Sequence, residues 1–188
     1  MSKKINYGKS ISLLVISAVL CLVAAIDASA AAYIKFDGVD GESQDKDHKG
    51  WSDILSFQQA VRVIKEDATS QTRRRQVVLD DIVVVRELDK SSPKLAQALL
   101  TGQVIPRVTI QLTRRGADST QPVFYAYELK NVIVTSYSIG GGAQSDQVPT
   151  EEFSLNFEEI KVTYTEFDET GASKGNVEYS WKVEEGEA

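Results

Sequence analysis

At 188 residues and 42% hydrophobic composition, the chain is long enough for one domain with a real core. Its formal net charge of −6 argues against nucleic acid as the main partner, because phosphate binding rests on basic patches. One cysteine, Cys21, rules out any intramolecular disulfide.

The first 30 residues read as an address. Lys3, Lys4 and Lys9 give a basic start, Ile11 to Ile26 is an apolar run interrupted by Ser12 and Ser17, and Ala28-Ser29-Ala30 is a small-x-small cleavage site. That is the three-part pattern of a secretory signal peptide, with cleavage expected between Ala30 and Ala31. The run is short for a membrane span, which needs about 20 apolar residues, so the alternative to cleavage, a retained membrane anchor, is the lesser reading, and membrane contact is expected only through the segment if it stays uncleaved. A lipoprotein reading of Cys21 meets Leu20 where a small residue belongs. Removing residues 1–30, with three Lys and one Asp, leaves 158 residues at net charge −8 and no cysteine. A mature domain of residues 31–188 then has no disulfide, zinc-thiolate site or thiol nucleophile, and must hold itself by its core or by association.

The first mature strand is Ala32 to Phe36. Asp37 to Gly50 is a polar loop holding the only histidine, His48. Its acidic residues invite a calcium reading, but an EF-hand register from Asp45 puts Lys49 at position five and Ser56 where a bidentate Glu is needed. A turn whose histidine packs or hydrogen-bonds locally is the expectation. Ile54 to Ile64 alternates, with Leu55, Phe57, Val61 and Val63 on one face, as a half-buried strand does. Glu66 to Gln76 is polar and contains Arg73-Arg74-Arg75, read either as solvated charge on a hairpin loop or as a contact for another copy of an acidic chain. Val77 to Arg86 is densely apolar. Its segment Ile82 to Val85 should be covered on both faces, one by the core and the other by a helix or a neighbouring subunit.

One helix is punctuated clearly, from about Pro93 to Thr101. Ser91 or Ser92 can cap it, Pro93 suits its first turn, Gly102 suits its left-handed end, and Leu95, Ala96, Leu99 and Leu100 form an apolar stripe. So short a helix is marginal alone and must lie on a sheet. Val108, Ile110 and Leu112 then alternate. Phe124 to Tyr137 changes phase at Lys130-Asn131, which a bulge or sharp bend would explain, letting one strand serve two sheets. Ser138 to Val148 contains Gly140-Gly141-Gly142, with no Lys-Ser/Thr to make a phosphate cradle. Glu151 to Thr165 reads as the longest strand, switching phase at Glu158-Glu159, and Val177, Tyr179 and Trp181 alternate in the last one. The expectation is a mainly β fold, a compact β-barrel or closed sandwich with one short flanking α-helix.

The run D-G-V-D-G-E-S-Q-D-K-D-H-K-G-W after Phe36, E-L-D-K-S-S-P-K-L-A-Q-A-L-L-T-G from Glu87, and V-P-T-E-E-F-S-L-N-F-E-E-I-K-V-T-Y-T from Val148 resemble, in order, the haemolysin-coregulated proteins, Hcp, of type VI secretion systems. The resemblance implies a β-barrel flanked by one helix. It also implies homohexameric rings with a wide central channel, stacked into a tube that is capped by a spike protein, wrapped by a contractile sheath and able to carry effectors. By position, the hairpin from Glu66 to Gln76, with Arg73, Arg74 and Arg75, would be a ring-to-ring contact, and Ile82 to Val85 would sit in the packed wall.

The signal peptide departs from that family, whose members assemble in the cytoplasm. Two accounts stay open: an exported relative, periplasmic or secreted, or a cytoplasmic tube subunit whose N-terminal segment is a start-site artefact. No cofactor, metal or catalytic residue is expected, since the acidic residues sit in turns and on outward phases. The rival reading is a secreted, non-enzymatic binding module on the same barrel, with Trp51, Trp181 and the tyrosines, six of the chain's seven lying past residue 30, lining a surface instead of packing in core and rim.

Overall fold

The computed structural model describes residues 30–65, 75–114, 120–142 and 148–183. Of the expected signal peptide, residues 1–30, all but Ala30 lie outside the described residues. Eleven strands and one helix follow in the described chain: β1 (Ala31–Phe36), β2 (Ser52–Ile54), β3 (Ser56–Gln58), β4 (Val61–Lys65), β5 (Arg75–Leu79), β6 (Ile82–Glu87), α1 (Ser92–Thr101), β7 (Ile105–Thr113), β8 (Val123–Gly140), β9 (Thr150–Asn156), β10 (Glu159–Phe167) and β11 (Ser173–Lys182). The mainly β character is as expected, and so is the one short helix among the described residues past residue 30.

The strands are ordered β2-β1-β7-β8-β9-β6-β3, with β10 and β11 branching from β8. Val123 to Lys130 of β8 lies between β7 and β10, whereas Ile133 to Gly140 pairs with β9. One strand therefore serves two sheets, and the bend is at Asn131, whose φ of 50° is the only positive value among the described non-glycine residues. The chain crosses sheets again at Phe157–Glu158. There the expected single long strand is in fact two: β9 pairs with β6 and β8, and β10 pairs with β8 and β11. The two crossings are tied together, since Asn131 Nδ2 donates to Glu158 Oε2 at 2.5 Å and Glu158 N–H donates to the Lys130 carbonyl at 3.1 Å. A left-handed backbone costs a β-branched residue on the order of 1–2 kcal/mol. Asn131→Val should lose at least that much in urea unfolding, while Asn131→Gly should lose only its share of the Glu158 bond.

The barrel expectation needs correction, because the sheets do not close. The two ends of the strand path, β2 and β3, are neighbours in the chain separated only by Leu55. They follow one another end to end instead of pairing side by side. β2 pairs with β1, β3 pairs with β6, and Leu55 N–H donates to the Val85 carbonyl at 2.9 Å. The half-buried strand expected over Ile54 to Ile64 is likewise broken into β2, β3 and β4. Leu55 is 61% exposed, Val61 54% and Val63 40%. The run Val77 to Arg86 divides into β5 and β6 at Asp80-Asp81.

The core joins both sheets. Ile34 and Phe36 of β1, Val108 and Ile110 of β7 and Ile160 of β10 meet Ile82 and Val84 of β6 and Phe153 and Leu155 of β9. Phe36 and Phe153 tilt against each other at 5.9 Å. Val83 and Val85, the other phase of β6, are half-buried. Leu95 and Ala98 bury one face of α1, which packs on β8, but Leu100 points away at 86% exposure. Gly102 closes the helix at φ 63°, its N–H meeting the Leu99 carbonyl at 3.2 Å while Gln103 N–H reaches Ala98 at 2.9 Å.

Candidate assembly surface

The arm formed by β4 and β5 is a two-stranded sheet of its own. Val61 stands opposite Leu79 and Val63 opposite Val77, so these four share one face. Val61, Val63 and Val77 are exposed at 54%, 40% and 37%. An isolated two-stranded ribbon is marginal in water, and an uncovered row of valines adds nothing until something covers it. Arg73 and Arg74, expected at the tip, lie outside the described residues, and Arg75 opens β5. Ala30 is exposed just ahead of β1, and Ala31 is the first residue of that strand, opposite Thr113.

A second uncovered face lies on the β10–β11 ribbon. Cross-strand partners share a face, which puts Tyr125, Tyr164 and Val177 on one row and Tyr127, Val162 and Tyr179 on the next. Val162 and Tyr127 are buried, but Tyr164, Tyr179 and Val177 are 39%, 48% and 74% exposed. The apolar face thus begins in the core and runs past it. Burial raises the phenol pKa of both Tyr127 and Tyr179.

Two buried polar groups fix the scaffold that carries these elements. Arg86 is fully buried. Its Nε donates to Glu151 Oε1 at 2.6 Å, its Nη2 donates to Ser91 Oγ at 2.6 Å, and its Nη1 has no hydrogen-bond partner, with Asp89 Oδ2 at 3.6 Å. Phe153 and Phe36 lie 5.3 and 5.9 Å from the guanidinium carbon. The Tyr137 hydroxyl donates to the other Glu151 oxygen. Burial, joined by that carboxylate, pushes the Tyr137 phenol up to about 12. Ser91 stands at the helix start without a side-chain cap bond, because its hydroxyl donates to Asp89 Oδ1 at 2.5 Å. The network therefore ties β6, β9 and the turn before α1 to one another.

Burial alone would raise the Asp89 carboxyl, but the Ser91 hydroxyl, the Ser91 N–H and the Arg86 charge outweigh it and hold it below the usual range. The folded pKa is thus below the unfolded value of about 3.9, so the stabilisation is present above that pH and lost as pH falls through the folded value. Urea midpoints should fall on acidification below about pH 4, and Asp89→Asn should flatten that decline.

The second group is His48, buried in the Asp37–Gly50 loop. Nδ1 lies 2.7 Å from Asp45 Oδ1 and Nε2 lies 3.0 Å from Gln111 Oε1. Its ring stacks on Tyr33 at 3.8 Å and meets the Trp51 edge at 5.1 Å. The His48 hydrogen bond holds the Asp45 carboxyl low. This is the locally satisfied histidine expected from sequence: both nitrogens are occupied in pinning the loop to β7. Among the described residues no His, Cys, Asp and Glu gather as a metal site, and no helix is long and apolar enough to cross a membrane.

Arg86, Glu151 and the Tyr-lined ribbon escaped the reading of motifs. The signal was periodicity. Arg86 shares the phase of Ile82 and Val84, and Glu151 that of Phe153 and Leu155, which places both charges inward.

Two sheets sharing one bent strand, one flanking helix among the described residues and a separate two-stranded arm are the architecture of type VI secretion proteins of the Hcp kind. A family model described as "Type VI secretion system effector, Hcp" matches residues 33–164, and the chain belongs to that family. It is 29% identical over 153 residues to protein hcp1 of Pseudomonas aeruginosa, covering 80% of this chain and 93% of that one. It is 27% identical over 124 residues to the major exported protein of the same organism, covering 66% and 70%. Among solved structures, one described as a type six secretion system protein superposes with TM-score 0.76 at 26% identity over 85% of this chain and 99% of that one. Hcp1 from Salmonella typhimurium shares the fold, with TM-score 0.67 at 21% identity over 85% and 98%.

Proposed function

We propose that residues 31–188 form a self-assembling subunit of homohexameric rings with a central channel, and that residues 1–30 are a cleaved signal peptide addressing it for export. The observation that carries this reading is the uncovered valine face of the β4–β5 arm: a soluble monomer has no use for it, and a second copy would bury it. The family match supports it and begins at residue 33, just past the expected cleavage point. Spike, sheath and effector proteins are the further partners such rings would meet. The role is structural, with no catalysis and no cofactor.

Native mass of residues 31–188 across a range of concentration and salt, with negative-stain images of the same sample, tests assembly. A six-fold ring is expected, and replacing Arg73, Arg74 and Arg75 together should remove salt-sensitive stacking of rings. A strict monomer at high concentration would sink the structural role. Export is tested separately, by the N-terminal residue of the protein recovered outside the cytoplasm, expected to be Ala31. An intact cytoplasmic chain starting at Met1 would contradict it.

A further inference from the structure

We propose that one ordered water molecule is built into the junction of β2, β6 and the turn before α1, held by Arg86 Nη1, Ser52 Oγ and Asp89 Oδ2. Arg86 Nη1 and Ser52 Oγ are buried side-chain atoms with no hydrogen-bond partner among the described residues. Arg86 is fully buried and Ser52 is 2% exposed. Native folds rarely leave such groups unpaired, because each gives up its hydration without return. Two of them at one junction point to a shared partner.

They meet around Asp89. Its Oδ2 lies 3.6 Å from Arg86 Nη1, in ion-pair range but too far for a direct hydrogen bond. Glu42 N–H reaches the same oxygen at 3.3 Å, and a Cβ on the preceding Gly41 would lie 2.1 Å from Ser52 Oγ. The Ser52 hydroxyl is thus near enough to act on the Asp89 carboxyl, although no hydrogen bond joins them. The other Asp89 oxygen is already taken by the Ser91 N–H and hydroxyl.

Charge selects the occupant. An anion here would face the Asp89 carboxylate, and a cation would face the Arg86 guanidinium. Water suits both, because it accepts from Arg86 Nη1, donates to Asp89 Oδ2 and pairs with the Ser52 hydroxyl in either sense. Set to one side of the 3.6 Å gap, its oxygen reaches both ends at about 2.8–3.0 Å. Three hydrogen bonds are what a buried water usually makes. The water ties Ser52, just past the Asp37–Gly50 loop, to the Arg86–Glu151 pair, while His48 pins the same loop through Gln111.

A crystal structure of the protein that shows ordered water should carry a peak within about 2.7–3.2 Å of all three atoms. Arg86 Nη1 or Ser52 Oγ bonded directly to Asp89, with no peak between them, would overturn the site. Ser52→Ala gives an independent reading in solution, because the alternatives differ in sign. A buried hydroxyl without a partner costs stability, so removing it would leave the protein as stable as before or more so. A hydroxyl bonded to the water contributes, so Ser52→Ala should raise the unfolding equilibrium constant in urea by about 2- to 10-fold. An unchanged or lowered constant overturns the shared site.

Discussion

Arg86→Met should cost about 3–5 kcal/mol of folding stability, a large share of the typical 5–15 kcal/mol that a domain holds. The reason lies in what stays behind. Met matches the aliphatic stem and can still pack between Phe36 and Phe153, so little volume is lost. Glu151, however, remains fully buried with only the Tyr137 hydroxyl facing its carboxylate, and Ser91 loses the donor to its hydroxyl. A buried charge without a counter-charge is expensive, and this one is sealed between β6, β9 and the turn before α1. The paired change Arg86→Met with Glu151→Leu should recover much of the loss, because both charges leave together. Urea unfolding of the two single variants and the double variant measures the coupling, expected at more than ~1.5 kcal/mol. Additive effects, or an Arg86→Met loss below ~1 kcal/mol, would mean that the pair is solvated and not a structural tie. Glu151→Gln should fall between the singles and wild type, since an amide oxygen still accepts from Arg86 Nε.

The same pair shows where sequence reading ends. The strand phases of β7, β9 and β10 were legible, because one face of each strand is core and the other is not. So were the helix, bracketed by Pro93 and Gly102, and the change of sheet at Asn131, since a two-residue period cannot change phase without a break in the backbone. The arm was not legible. Leu55, Phe57, Val61 and Val63 alternate as a core strand does, and alternation records that a face is apolar without saying which molecule covers it. That is why a continuous strand was expected where the chain turns at Leu55 and then projects. Arg86 and Glu151 sit on inward phases, but a charged residue there reads as an interruption unless its partner 65 positions away is considered with it. Leu100 misled in the opposite direction, apolar in the helix yet outward.

Gly41→Ala should destabilise the domain by about 3 kcal/mol, at the upper end of the range for overpacked sites, and lower its melting temperature by on the order of 10 °C. A Cβ at Gly41 would lie 2.1 Å from Ser52 Oγ, 2.3 Å from the Trp51 carbonyl oxygen and 2.5 Å from its carbon. The hydroxyl could rotate, but the two backbone atoms cannot. Gly41 N–H donates to the Gly50 carbonyl and Ser43 N–H to the Trp51 carbonyl, each at 2.9 Å, so this part of the loop lies flat against the start of β2. Relieving the overlap means lifting the loop, and with it His48 from its stack on Tyr33 and its contact with Gln111. Gly140→Ala is the control, because a Cβ there meets nothing within 4 Å and its φ lies outside the left-handed region. Equal melting temperatures for the two variants would refute the close approach. The loop belongs to neither the arm nor the β10–β11 ribbon. Gly41→Ala protein below its lowered melting temperature should therefore still assemble to the mass of the parent chain, whereas a shifted assembly equilibrium would make the Asp37–Gly50 loop part of the contact between copies.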